Sequence, residues 1–208
     1  MAWEQRKLLQ ISDKVMEKNS SREYSETFTN SAEFGIISQR EFFDKDISNE
    51  ENIDGYYIVK NDDFVYNPRI STFAPVGPIK RNKLGRDGVM SPLYYVFRTH
   101  DIDPTYLEHF FSTTGWHKFM KLNGDSGARS DRFSIKDSVF REMPLPYPSI
   151  YEQEKIGEFF DVITNLITLH QRESNITMEE QRWQKEPIIQ KLFIRTTLVG
   201  SISTKKGQ

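Results

Sequence analysis

The sequence predicts an α+β domain over residues 1–145 and a long helical arm over residues 149–195. Three observations support this prediction. Short runs of aromatic and β-branched residues, bounded by turn-forming residues, indicate strands. An amphipathic pattern over residues 104–120 indicates a helix in the same domain. A proline-rich connector at residues 144–148 then separates this domain from a second, longer helical pattern.

The domain begins with a polar leading segment, residues 3–25, whose sparse apolar positions predict a short helix. Strand composition occurs first in Gly55-Tyr-Tyr-Ile-Val59 and again in Phe64-Val-Tyr66, with a polar turn between them. A third, aromatic strand is predicted over residues 89–97, where Pro92 marks a bulge or a strand start.

The helix predicted over residues 104–120 has Asp103 as its N-cap, because an aspartate side chain accepts hydrogen bonds from free backbone N–H groups. Its apolar face is formed by Tyr106, Leu107, Phe110 and Phe111. A polar loop rich in glycine follows at residues 123–132 and leads back towards the connector.

The connector and the start of the arm are marked by distinct residues. Pro144, Pro146 and Pro148 exclude regular helix and favour an extended chain. Ser149 and Glu152 then form an S-x-x-E capping box, which predicts a helix start. Beyond it, apolar residues recur at spacings of three and four and form one stripe along the helix. We predict that this stripe mediates dimerisation through Ile156, Phe159, Ile163 and Leu166.

The arm becomes less regular towards its end. Its stripe turns polar after His170, and Pro187 breaks or restarts the helix. Residues 196–208 are predicted to be a disordered tail. An alternative to dimerisation is that the arm folds back on its own domain.

Composition limits the class of protein. The chain has 208 residues, enough for one domain with an appendage, and a formal net charge of -2. It contains no cysteine, which excludes disulfides, thiolate metal sites and a cysteine nucleophile. No apolar run reaches membrane length and the first residues have no signal-peptide core, so we expect a cytoplasmic protein.

The charge is unevenly distributed along the chain. Residues 41–63 are acidic, whereas residues 64–98 are basic and rich in glycine and proline. Basic side chains among aromatic and small polar residues suit contacts with DNA phosphates and base edges. The candidate DNA-binding residues are Arg69, Lys80, Arg81, Lys83, Arg86, Arg129 and Arg132. The alternative is that these are solvated loops whose charges only keep the protein soluble.

Catalytic signatures are absent from the sequence. His109 and His117 are eight residues apart, which is not the spacing of a helical metal pair, and no phosphate-loop or nucleophile-elbow motif occurs. Tyr66-Asn-Pro-Arg69 differs from the Asn-Pro-Pro-Tyr motif of amino-group DNA methyltransferases, because Arg69 replaces the second proline. We therefore predict no catalytic residues and no metal site.

Three parts of the chain together resemble the specificity subunit of Type I restriction-modification systems. The first is Trp3-Glu-Gln-Arg-Lys-Leu8. The second is Asp63-Phe-Val-Tyr-Asn-Pro-Arg69 with Gly88-Val-Met-Ser-Pro-Leu-Tyr94. The third and most specific comprises Gly127-Ala-Arg-Ser-Asp-Arg-Phe-Ser-Ile-Lys136, Met143-Pro-Leu-Pro, Glu152-Gln-Glu-Lys-Ile156 and Leu166-Ile-Thr-Leu-His-Gln-Arg172.

The resemblance implies a target-recognition domain with a curved mixed β-sheet and flanking helices, followed by a long coiled-coil-type helix. It implies a non-catalytic subunit that recognises double-stranded DNA and directs methyltransferase and restriction endonuclease subunits to half of a bipartite site. S-adenosylmethionine is then expected on the methyltransferase partner and no cofactor on this chain. With one domain and one arm, the chain resembles half a subunit, which implies a homodimer or a second half-subunit.

The chain departs from the family pattern after Arg172, where a lysine-rich continuation is usual and Glu173 to Pro187 is not. Two other functions stay open at this point. One is an assembly or regulatory protein that acts through its arm without binding DNA. The other is an enzyme, a methyltransferase or nuclease, which the missing motifs disfavour.

Overall fold

The computed structural model describes residues 3–40, 50–126 and 131–185. These residues have the predicted α+β composition, with short strands and few helices. The strands are β1 (Glu4–Lys7), β2 (Ser12–Lys14), β3 (Phe28–Ser31), β4 (Gly35–Ser38), β5 (Tyr57–Val59), β6 (Phe64–Tyr66), β7 (Ile79–Arg81), β8 (Gly88–Met90), β9 (Tyr95–Thr99) and β10 (Pro144–Tyr147). The α-helices are α1 (Pro104–Ser112), α2 (His117–Asn123), α3 (Asp137–Phe140) and α4 (Ile150–Lys185), and 3₁₀ turns lie at Leu8–Gln10 and Glu50–Gly55.

The strands form several small sheets. A four-stranded sheet has the order β2-β9-β6-β7, and the pairs β1-β10, β3-β4 and β5-β8 are separate. Each of these ladders is antiparallel, and an isolated parallel bridge joins Thr27 to Val89. The prediction of one curved mixed sheet was therefore wrong for the described residues. The strands contain only three to five residues, so each pairs over a short length and the ladders do not extend into one continuous sheet.

The leading segment is also different from its prediction. Residues 4–14 form β1, a single 3₁₀ turn and β2 rather than a helix. Leu8 and Ile11 from the turn are fully buried, so two apolar residues suffice to anchor this segment in the core.

The central strands β6 and β9 of the four-stranded sheet are covered on both faces. Alternate residues of each strand point to opposite sides and pack into two different apolar clusters. On one face Phe64 and Phe97 stack with ring centroids 5.5 Å apart, and Phe140 of α3 packs against Phe97. On the other face Val65 and Val96 join a smaller apolar cluster. Both clusters hold the central strands in place between packed layers.

The predicted helix over residues 104–120 is two helices in the structure. Asp103 caps the first as predicted, and its Oδ1 accepts a hydrogen bond from Tyr106 N at 2.7 Å. The first helix ends before Thr113, whose hydroxyl donates to Phe110 O at 2.7 Å. A threonine hydroxyl that bonds to the preceding turn competes with helical hydrogen bonding, and Gly115 further disfavours helix.

The proline-rich connector is a strand. β10 pairs with β1 in the register Arg6↔Leu145 and Glu4↔Tyr147. Pro144 and Pro146 face Lys7 and Gln5 at the alternate positions of this ladder, where the strand donates no N–H, so proline is tolerated there. The Arg6 guanidinium lies 3.8 Å from the centroid of the Tyr147 ring, which adds a cation–π contact across the pair.

The helix α4 begins with the predicted capping interaction. Ser149 N donates to Glu152 Oε2 at 2.9 Å. Next to it, the fully buried Gln153 accepts a hydrogen bond from Asp103 N at 2.9 Å and donates to Pro148 O at 2.9 Å. Gln153 thereby ties the start of α4 to the start of α1.

Contacts divide the chain into two compact units, Met1–Glu158 and Phe159–Gln208. The predicted domain boundary at residue 145 and the arm over residues 149–195 stay predictions. Pro187 and the tail at residues 196–208 lie outside the described residues. In the described part of the chain, no helix combines the length and apolar character needed to cross a membrane.

Candidate nucleic-acid interface

The site is built around Arg69, which follows β6 in the sequence Asn67-Pro-Arg69. The side chain of Asn67 fixes this turn, because its Oδ1 accepts from Arg69 N at 3.0 Å and its Nδ2 donates to Asn30 O at 2.8 Å. Asn67 N also donates to Pro78 O at 2.9 Å. The backbone that carries Arg69 is thus held from both sides.

Arg132 lies beside Arg69 although the two are far apart in the sequence. Their backbones form an antiparallel bridge. It is flanked by hydrogen bonds from Ile70 N to Asp131 O at 3.0 Å and from Phe133 N to Pro68 O at 2.8 Å. Two of the predicted DNA-binding arginines are therefore brought together on one face of the domain.

Two adjoining cavities lie at these arginines. The first measures 310 Å³ and is lined by Thr29, Asn30, Ser31, Ala32, Asn67, Pro68, Arg69, Ile70, Ser71, Pro78, Leu93, Tyr94 and Arg132. The second measures 330 Å³ and shares Pro68, Leu93, Tyr94 and Arg132 with the first. We call the two cavities and their shared wall the arginine groove.

The floor of the arginine groove is a hydrogen-bonded layer under the turn. Asn30 is only 2% exposed, and its Nδ2 donates to Val65 O at 2.7 Å. Its Oδ1 has no hydrogen-bond partner among the described residues. Nearby, the hydroxyls of Thr29 and Tyr94 are 3.0 Å apart and hydrogen bonded. The groove therefore offers hydroxyl and amide groups next to the two guanidinium groups.

The remaining predicted basic residues lie elsewhere and have other surroundings. Arg81 Nε donates to Asp62 Oδ1 at 2.7 Å, and Arg81 Nη1 lies 3.4 Å from Glu108 Oε2. Lys83 Nζ lies 3.2 Å from Glu108 Oε1. Lys80, on β7, is half-buried and has no ion pair with the described residues.

Arg86 forms a two-pronged ion pair with Glu26. Its Nε and Nη2 donate to the two carboxylate oxygens at 2.7 and 2.8 Å. These hydrogen bonds lower the pKa of Glu26 below its ordinary value. Arg129, the last predicted DNA-binding residue, lies outside the described residues. The structure thus groups Arg69 with Arg132 and separates them from Arg81, Lys83 and Arg86.

The predicted dimerisation residues differ in their surroundings. Ile156 is half-buried and packs against the large apolar core of the first unit. Phe159 and Leu166 are each 60% exposed, and Ile163 is half-buried.

Sequence reasoning missed several residues of the arginine groove. Thr29, Asn30 and Tyr94 line the first cavity, and Lys14 lines the second. Thr29 and Asn30 come from β3, Lys14 from β2 and Tyr94 from the loop before β9, so no local motif joins them to Arg69. The described residues contain no group of three or more His, Cys, Asp or Glu side chains that could hold a metal ion.

The sequence pattern that defines the Type I restriction modification DNA specificity domain matches residues 2–179. No match was found among curated protein sequences. The fold is similar to a chain from a study of complex assembly and conformational transition of the type I R-M system, with TM-score 0.62, 9% identity, and coverage of 86% of this chain and 46% of that chain. It is also similar to the HsdS subunit from Thermoanaerobacter tengcongensis, with TM-score 0.51, 15% identity, and coverage of 83% and 40%.

This chain spans less than half the length of either solved chain. At these identities they support the fold, whereas the sequence pattern spans most of the chain and supports the family. The resemblance found in the sequence is therefore confirmed, and the chain belongs to the family of Type I restriction-modification DNA specificity domains.

Proposed function

We propose that this chain recognises double-stranded DNA as the non-catalytic specificity subunit of a Type I restriction-modification complex. It directs methyltransferase and restriction endonuclease subunits to half of a bipartite site. Membership of the specificity-domain family supports this function. The observation that carries it is the arginine groove, where Arg69 and Arg132 stand side by side on paired backbone segments.

Charge pairing ranks the candidate DNA contacts. The guanidinium groups of Arg69 and Arg132 have no carboxylate partner among the described residues. A DNA contact by either one therefore breaks no ion pair with a described residue. Flanking contacts are assigned to Lys80, Arg81, Lys83, Arg86 and Arg129, and those of Arg81, Lys83 and Arg86 are weakened by their carboxylate neighbours.

The test is DNA binding by the full chain assembled with a methyltransferase subunit. Phosphate neutralisation releases counterions, so the logarithm of affinity should fall linearly with the logarithm of salt concentration. If the chain were instead an assembly protein that does not bind DNA, the methyltransferase subunit would bind DNA equally well with and without it. The methyltransferase subunit, not this chain, is proposed to bind S-adenosylmethionine, so the isolated chain should not methylate DNA.

We propose that α4 joins two copies of the chain. Exposed apolar side chains are costly unless they are covered, and Phe159 and Leu166 are such residues. The contact is assigned to Ile156, Phe159, Ile163 and Leu166, within a two-fold dimer of helices. Ile163→Asp should give monomers in analytical ultracentrifugation, and an unchanged dimer would contradict this contact.

A two-fold dimer would read the same half-site twice in inverted orientation. The assembled complex is therefore expected to methylate an interrupted palindrome with a constant spacer, which methylation mapping in a host with this chain as its specificity subunit would reveal. An asymmetric target would mean that a second, different recognition domain takes part.

A further inference from the structure

We propose that the arginine groove holds the phosphodiester backbone of one DNA strand, with Arg69 and Arg132 on neighbouring phosphates. This inference rests on the proposed function and assigns a kind of contact within it. The two arginines would then position the domain on DNA, and they would not read the base sequence.

The shape of the groove is the first argument. The two cavities, of 310 and 330 Å³, are concave and adjoin at a shared wall. Base edges are recessed between the strands of a duplex, whereas the sugar-phosphate backbone forms a projecting ridge. A concave surface therefore fits the ridge, while side chains that reach base edges must project into a groove of DNA. Arg69 borders the first cavity and Arg132 borders both, so the two residues are placed to meet neighbouring phosphates.

The lining chemistry is the second argument. In addition to the arginines, the first cavity is lined by the hydroxyl-bearing residues Thr29, Ser31 and Ser71, and no described aspartate or glutamate lines it. In the second cavity, Asp137 is paired with Lys14. Hydroxyl and guanidinium donors without an unpaired carboxylate are the groups that bind phosphate oxygens in protein–DNA complexes.

Rigidity is the third argument. Arg69 and Arg132 lie on backbone segments that bridge each other, and Asn67 holds Arg69 N in place at 3.0 Å. The backbone of both residues is therefore fixed before DNA binds, which lowers the entropy lost on ordering the contact.

The experiment measures the salt dependence of binding to a duplex of mixed sequence by the full chain assembled with a methyltransferase subunit. Each released phosphate counterion contributes about 0.9 to the slope of log affinity against log salt. The double variant Arg69→Ala/Arg132→Ala should lower the slope by about 1.8. The charge-matched control Lys118→Ala/Lys121→Ala removes two exposed lysines of α2 that line neither cavity, and it should leave the slope within about 0.5 of the starting protein.

A second pair of variants separates phosphate contact from base reading. Arg69→Lys/Arg132→Lys keeps both charges but loses the planar fork that recognises guanine. It should retain the slope and methylate the same target sequence. An unchanged slope in the alanine variant, or an altered target in the lysine variant, would overturn the backbone assignment. Absence of DNA binding by the starting complex would instead overturn the proposed function.

Discussion

Gly77 should tolerate no larger residue, because it lies where the β6–β7 loop returns against the turn that carries Arg69. Its φ of +83° is in the left-handed region, which costs other residues about 1–2 kcal/mol. A Cβ at this position would lie 2.1 Å from Asn67 O and 2.9 Å from Tyr66 Cε2. Since the nearer atom is backbone, Gly77→Ala must shift the loop itself.

The chain supplies a matched control for the steric part of this effect. Gly85 also has a positive φ, +69°, but a Cβ there would meet nothing within 4 Å. The free energy of unfolding of Gly85→Ala should therefore fall only by the conformational cost of about 1–2 kcal/mol. The free energy of unfolding of Gly77→Ala should fall by about 1–3 kcal/mol more, which is the usual effect of overpacking.

The assay is urea unfolding of both variants under the same conditions, with the free energy of unfolding compared at equal denaturant slope. Well below the unfolding transition, Gly77→Ala should also weaken DNA binding more than Gly85→Ala, because the displaced residue is the one that fixes Arg69. If the two variants lose the same free energy of unfolding, the close approach of Gly77 to Asn67 is not a constraint in solution.

Two further predictions concern the core and the start of α4. Phe140→Ala should cost about 3–5 kcal/mol in urea unfolding, because its ring is buried against other aromatic rings, whereas Phe73→Ala, at a side chain 78% exposed, should change stability by less than about 0.5 kcal/mol. Hydrogen bonds from Ser149 lower the pKa of Glu152, so the carboxylate stabilises the fold above its ordinary pKa and loses this effect as pH falls through the lowered value. Glu152→Gln should therefore flatten the loss of stability in acid, and an unchanged acid profile would contradict this role.

Local patterns predicted some elements well. The aromatic run Phe64-Val-Tyr66 is a strand with the same bounds, and Asp103 caps its helix as its position indicated. The run over residues 89–97 contains parts of two strands in different sheets, because the chain turns at residues 91–94 around Pro92. The spacing of apolar residues and the helix caps depend on residues that are close in the sequence, so a short stretch of sequence predicts them. Which sheet a strand joins depends on partners that are distant in the sequence.

The candidate site shows the same limit. Positive charge in the span around Arg69 indicated a basic surface, but ion pairing decides which charges remain available. Asp62 and Glu108, which engage Arg81, come from separate parts of the chain. The bridge between Arg69 and Arg132 likewise joins two distant segments, so the pair could not be predicted from spacing.

The distribution of ion pairs affects how the proposed DNA binding should work. Arg81 and Arg86 lie within 4 Å of carboxylates, so the opposite charges of each pair largely cancel at longer range. Salt screens the remaining field over about 10 Å. With a net charge of -2, long-range attraction of the chain to DNA should be weak, so the proposed DNA binding should depend on short-range contacts at the arginine groove. A single recognition domain should then bind modestly. In the proposed dimer, binding of the first domain would raise the effective concentration of the second, so affinity and target length should both depend on the contact between copies.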